Sequence, residues 1–121
     1  MLEVKTGLDL CEIGRMEEAA DRPHFLGRWL TPSEQSYLDG RGAVRAASIA
    51  GLWAAKEAVV KALGVGLSIP LTEIEILHDE AGCPACRLSG KAAELAGDAA
   101  ISISITHEAG TAAAVCVLVR S

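Results

Sequence analysis

The sequence predicts an α+β domain in which an antiparallel sheet packs on one long helix. Three observations carry this. Residues 44–63 form an alanine-rich run without proline that stops at Gly64. Residues 2–10 put Leu2, Val4, Leu8 and Leu10 at even positions, the alternation of a strand. Residues 101–107 and 111–119 are rich in Ile, Val and Ser and are broken by Glu108-Ala109-Gly110, as a closing hairpin requires. With 121 residues the chain suits one domain, spanning 1–121.

Taken in order, the first strand places Gly7 and Asp9 on the side opposite its leucines. Residues 12–20 read as a short helix bearing Arg15. Thr31-Pro32-Ser33-Glu34 is a helix start: Thr31 can cap, Pro32 suits the first helical position, and Glu34 can reach back to close a capping box. That helix should end near Gly40. The long helix follows, with Gly64 suited to a left-handed C-terminal cap. Beyond the Gly64-Val65-Gly66 loop, Ile74 and Ile76 begin a strand, 79–82 turns, and a short strand near 86–88 completes a hairpin. Ser89 can cap a short helix over 90–96.

Composition narrows the function. Half of the chain is apolar, but only Phe25, Trp29, Tyr37 and Trp53 are aromatic, so the core is aliphatic and base-stacking platforms are lacking. A net charge of −5 argues against non-specific nucleic-acid binding. No apolar run approaches the ~20 residues that span a bilayer. The opening MLEVKTGLDL lacks the basic and apolar regions of a secretory leader. The expectation is a cytoplasmic protein, with no nucleic-acid or membrane partner and with Cys11, Cys83, Cys86 and Cys116 reduced. The high surface-to-volume ratio of so small a domain favours an oligomer.

Few residues offer chemistry. Asp9, after Gly7, is either a metal ligand or a solvent-facing carboxylate at a strand end. Glu57 and Lys61 lie four apart on one face of the long helix. An exposed pair there is worth roughly 0.2–0.5 kcal/mol. The neighbours Trp53, Ala54, Ala55, Ala58, Val59 and Val60 make the helix a buried one, where charges need partners or a metal. Lys56, about 100° around the helix from Glu57, is the weaker candidate. Ser102, Ser104 and Thr106 share one side of a strand that ends at His107, which is either a polar phosphate pocket or a hydrogen-bonded edge. Gly64-Val65-Gly66 ends a helix rather than opening one, so it reads as a cap and loop, with close backbone approach to a ligand still open. Cys83-Pro84-Ala85-Cys86 has CxxC spacing but enters a strand and lacks a second ligand pair, which favours incidental hairpin cysteines over a redox or zinc site.

Together and in this order, these segments resemble the holo-acyl-carrier-protein synthase family. Gly7-Leu8-Asp9-Leu10 with Glu12-Ile13 and Arg15 resembles its N-terminal G-[IL]-D-[IL]…E-I…R block. Residues 53–66, which open Trp53-Ala54-Ala55-Lys56-Glu57-Ala58 and close Lys61-Ala62-Leu63-Gly64-Val65-Gly66, are similar to its [FW]-A-x-K-E-A…K-A-[LF]-G-x-G block. Residues 102–107 resemble its C-terminal S-[IL]-[ST]-H strand.

The resemblance implies the α+β 4′-phosphopantetheinyl transferase fold and a homotrimer with coenzyme A at subunit interfaces. It implies Mg²⁺-dependent transfer of 4′-phosphopantetheine from coenzyme A to a serine of an apo acyl carrier protein, releasing 3′,5′-ADP. Asp9 and Glu57 match the family's Mg²⁺ ligands, and Glu57 and Lys61 match its catalytic pair. Gly64, Gly66, Ser104, Thr106 and His107 match the coenzyme A contacts, the strand residues arriving from a neighbouring subunit. Arg15, with Arg22, matches the surface that docks the acidic carrier. Leu52 departs from the pattern, standing where many members carry a basic residue. That departure motivates an alternative, a homologue that binds coenzyme A or a carrier without transfer. A third reading is a small redox module that uses Cys83 and Cys86.

Overall fold

The computed structural model describes residues 1–64 and 68–121, so the Gly66 assignment lies outside the described residues. The elements run β1 (Glu3–Glu12), α1 (Ile13–Ala20), α2 (Pro32–Asp39), α3 (Arg45–Leu63), β2 (Ile74–His78), β3 (Pro84–Leu88), α4 (Gly90–Ala96), β4 (Ala100–Glu108) and β5 (Thr111–Arg120). β1, β5 and β4 form an antiparallel sheet in that order, and β2 pairs antiparallel with β3. The fold is the α+β arrangement expected, with α3 laid across the three-stranded sheet.

Local chemistry explains the element ends. At α2 the capping box forms as the sequence predicts: Thr31 Oγ1 accepts from the Glu34 amide at 3.2 Å, and Glu34 Oε1 accepts from the Thr31 amide at 2.8 Å. Gly64 closes α3 at φ 77°, a left-handed cap. The cap expected of Ser89 does not form. Glu73 replaces it, its Oε1 accepting from the Ala92 amide at 3.1 Å. A carboxylate serves better there because it also meets the positive end of the helix.

Almost everything under the sheet is small or aliphatic. Ala50, Ala54, Ala55, Ala58 and Ala62 of α3 are buried, as are Ala112, Ala114, Cys116 and Leu118 of β5. The alternation in β1 runs opposite to what core burial of its leucines would require. Gly7 is buried against α3, and Asp9 and Cys11 follow it on that side. Leu8 and Leu10 are 62% and 68% exposed on the other side. The register aligns Leu8 with Val115 and then Ser104, and Leu10 with Ala113 and then Thr106. The outer face of the sheet is therefore an apolar surface, extended by Val4 and edged by the hydroxyls of β4.

Candidate active site

β1 and α3 assemble the central cluster. β1 continues past Asp9 to Glu12, so Asp9 sits within the strand rather than at its end, on the side facing α3. Gly7 makes the approach possible, since a Cβ there would lie 1.8 Å from the Ala58 carbonyl oxygen. With β1 so close, Lys61 turns away from Glu57. Its ammonium donates to the Leu8 carbonyl at 2.8 Å and to Asp9 Oδ1 at 3.1 Å. Lys61 thus pairs with Asp9 across two elements while keeping half its surface in solvent.

Glu57 is half-buried beside them. Burial pushes its carboxyl above the ordinary carboxylate value, Asp9 adds repulsion in the same direction, and Lys61 opposes both. Two carboxylates beside one half-exposed ammonium leave a deficit of positive charge. That is the condition a hard divalent cation relieves. Among the described residues no group of three or more His, Cys, Asp and Glu forms a self-sufficient metal cage. Two carboxylate oxygens suit Mg²⁺, which commonly binds through one or two carboxylates, water and substrate phosphates.

α3 borders two cavities. One, of about 330 Å³, is lined by Leu10, Cys11, Arg15, Arg22, Phe25 and Trp53, which puts Arg15 and Arg22 on one hollow. Its aromatic wall is braced: Phe25 stacks on Trp53 at 6.4 Å and meets Trp29 edge-on at 6.2 Å, and Trp29 meets Trp53 edge-on at 5.0 Å. The other, of about 150 Å³, holds His107 with Tyr37, Arg41, Ser48, Gly51 and His78. Tyr37 and His78 stack at 4.0 Å, and Arg41 lies over Tyr37 at 5.1 Å while its Nε donates to Ser48 Oγ at 3.1 Å. No carboxylate lines this second cavity. Burial, and then the Arg41 guanidinium, hold His78 below its ordinary value.

Ser104 and Thr106 do not join Asp9 in this chain. They open on the outer face, in a hollow shared with Leu8, Ala113 and Val115. His107, one residue out of phase with them, belongs to the inner side. Gly64 serves as the helix cap, and a Cβ on it would meet nothing within 4 Å. CxxC function finds no support, because Cys83 is exposed in the β2–β3 turn while burial pushes the Cys86 thiol up to about 12.

Sequence reasoning missed the Tyr37–His78–Arg41 stack. Its members come from α2, β2 and the loop after α2, and no spacing rule connects them. It also missed the partner of Lys56. This residue is wholly buried and pairs with Glu34 at 2.7 Å. Glu34 carried a visible signal, the capping box, but that role accounts for only part of what the carboxylate does.

Comparison with known proteins agrees with this layout. Residues 5–116 match the 4′-phosphopantetheinyl transferase superfamily. A holo-[acyl-carrier-protein] synthase of Solidesulfovibrio magneticus is 44% identical over 93% of this chain and 94% of its own. One from Moorella thermoacetica is 39% identical over 98% and 95%. Among solved structures, a Chronobacterium ammoniagenes ACPS–CoA complex superposes with TM-score 0.86 at 32% identity, covering 96% of each chain. A Helicobacter pylori holo-[acyl-carrier-protein] synthase in complex with coenzyme A gives TM-score 0.82 at 34% identity, over 93% of this chain and 98% of the other.

Proposed function

The chain belongs to the holo-acyl-carrier-protein synthase family of the 4′-phosphopantetheinyl transferase superfamily and is an enzyme, and we propose that it uses Mg²⁺ to transfer the 4′-phosphopantetheine arm of coenzyme A to a serine of an apo acyl carrier protein, releasing 3′,5′-ADP. The observation that carries this reading is the meeting of Asp9, Glu57 and Lys61 where α3 crosses β1.

In this reaction Asp9 and Glu57 would hold the metal ion. When bound, Mg²⁺ offsets the negative charge of the pyrophosphate. Lys61, held against β1 by the Leu8 carbonyl, presents its exposed ammonium to the same phosphates. The carrier serine oxygen attacks the β-phosphorus, and the bond to the bridging oxygen breaks, leaving that oxygen on 3′,5′-ADP. The serine proton passes either to Glu57 through a water or to a carboxylate of the carrier. Arg15 and Arg22 serve carrier docking beside the aromatic wall of Trp53. His107, in a cavity that carries Arg41 and His78 but no carboxylate, suits the anionic nucleotide end.

One chain supplies the pieces on two surfaces. Asp9 lies under the sheet, while Ser104 and Thr106 lie on top of it. The apolar outer face, with Leu8 and Leu10 exposed, is the surface a further copy would cover. Both features support a homotrimer in which β4 of one copy reaches the metal cluster of the next. No helix in the described residues is long and apolar enough to cross a membrane.

Leu52 supports the alternative of binding without transfer: it is buried, so the cation common at that position in the family is missing here. Intact-protein mass spectrometry of apo carrier incubated with this protein, coenzyme A and Mg²⁺ separates the two readings. A gain of one phosphopantetheine that EDTA abolishes is expected. No gain on any carrier, with coenzyme A binding intact, would establish the alternative.

A further inference from the structure

Lys56 stands next to Glu57 in sequence, and α3 turns about 100° between them. The two side chains therefore leave the helix on different flanks. The Lys56 ammonium donates to the Trp29 carbonyl at 2.6 Å, to the Leu71 carbonyl at 3.0 Å and to Glu34 Oε1 at 2.7 Å. An ammonium has three N–H donors, so each has its acceptor. Glu34, also buried, accepts from the Thr31 amide on Oε1 and from the Ile76 amide on Oε2, both at 2.8 Å. The pair ties α3 at once to the first turn of α2, to the segment before it, to the turn at Leu71 and to β2.

Stability alone does not account for two charges in the interior. A buried ion pair is often no more stabilising than apolar side chains that fill the same space. What directional bonds add is a fixed rotation. The face that α3 turns to the sheet is poor in features that would set its rotation by packing. Its Ala58 and Ala62 backbone rests on Gly7, and its Gly51 rests on Ile105. Rows of alanine and glycine present no large knobs to seat in the facing grooves. A carboxylate about 6 Å from the helix axis moves about 1 Å when the helix turns by roughly 10°. A displacement of about 1 Å can lower a rate about 100-fold.

We infer that Lys56 and Glu34 are positioning residues: their buried bonds set the rotational phase of α3 so that Glu57 faces Asp9. This rests on reading Asp9 and Glu57 as the carboxylates that hold the divalent ion. It adds a group, on the far flank of the helix, through which the site is held in shape.

The test uses the full chain carrying Glu34→Gln together with Lys56→Met, a neutral pair of similar volume. Four quantities are read: Mn²⁺ binding by the protein alone, kcat and KM for transfer, and the urea midpoint. Mn²⁺ affinity and kcat should each fall about 10- to 100-fold, the range seen when the groups behind metal ligands are removed. KM for coenzyme A should stay within about twofold, since the variant touches neither coenzyme A cavity wall at His107 nor the phosphate-facing Lys61. A lowered midpoint with Mn²⁺ affinity and kcat kept within about twofold would mean that the pair only stabilises the fold, and would overturn the proposal. Should the pair not fold, Glu34→Asp alone decides by the same criteria, because it keeps both charges and only shortens the reach of the carboxylate toward Lys56. A parent protein that binds Mn²⁺ but transfers nothing would refute the transferase reading, and the Mn²⁺ measurement would still decide this one.

Discussion

Gly7→Ala tests the contact on which the whole site depends. A methyl carbon there would lie 1.8 Å from the Ala58 carbonyl oxygen, 2.8 Å from the Ala58 carbonyl carbon and 2.9 Å from the Ala62 nitrogen. All three are backbone atoms of α3, so no side chain can swing aside. Non-bonded heavy atoms need about 3.5 Å, and β1 and α3 must therefore separate by about 1.7 Å. Overpacking usually costs about 1–3 kcal/mol. Backbone against backbone belongs at the top of that range, so a loss of about 3 kcal/mol is expected, a large part of the roughly 5–15 kcal/mol that holds a domain together. Asp9 moves with the strand, and Glu57 and Lys61 move with the helix. Turnover of the folded fraction should therefore fall on the order of 100-fold. Urea unfolding followed by the fluorescence of Trp29 and Trp53, with transfer measured well below the midpoint, gives both quantities. Gly14→Ala is the control. A Cβ at Gly14 meets nothing within 4 Å, and within α1 the change should stabilise by about 0.5–1 kcal/mol. A Gly7→Ala protein that loses less than about 1 kcal/mol and keeps its turnover would refute the argument.

Glu57→Gln and Lys61→Ala should each reduce kcat by far more than they change the urea midpoint; unchanged turnover in both would sink the site assignment. His78 is held below its ordinary value of 6.5, so the folded state binds its proton less readily than the unfolded chain does. Its contribution is therefore intact above pH 6.5 and lost as pH falls below that, and His78→Asn should flatten this part of the stability profile; an unchanged slope refutes it. The Cys86 and Cys116 thiols, pushed up to about 12 and about 11, should resist iodoacetamide at pH 8 in the folded protein while exposed Cys83 reacts, as peptide mapping would reveal; equal labelling refutes the burial argument. Leu8→Glu with Leu10→Glu should leave the chain folded but monomeric in sedimentation, and an intact trimer would show that the outer face is not the covered one.

The sequence made the elements legible because their signals are local. Thr31-Pro32-Ser33-Glu34 predicts a helix start from bonds made within four residues, and those bonds form. Gly64 predicts a left-handed cap, and one forms. Ser89 carried an equally good local signal and failed, because Glu73, distant in sequence, reaches the same helix end with a charge. The same limit applies to the site. Glu57 and Lys61 share a helix face by spacing, but spacing is silent on a strand that comes close enough to take the lysine away. Lys56 and Glu34 illustrate it most fully, since neither residue's neighbours in sequence hint at the other.

Alternation raises a further point, because it tells that a strand has two unlike faces and leaves open which is the core. In β1 the larger apolar residues lie on the exposed face, and the buried face is Gly7, Asp9 and Cys11. Helix approach accounts for the assignment. Only a residue without a side chain lets the α3 backbone come as near as it does at Ala58, and the carboxylate next on that face is then brought to Glu57 and Lys61. The face that remains is left with Leu8, Leu10 and Val115, and its apolar character calls for a partner surface. Ser104 and Thr106 lie on that same face, in register with Val115 and Ala113. Whatever covers the leucines also meets these hydroxyls. In the proposed homotrimer, a fold that uses its buried face to bring helix and carboxylates together would present Ser104 and Thr106 to a neighbouring copy, so that assembly and catalysis would be parts of one requirement.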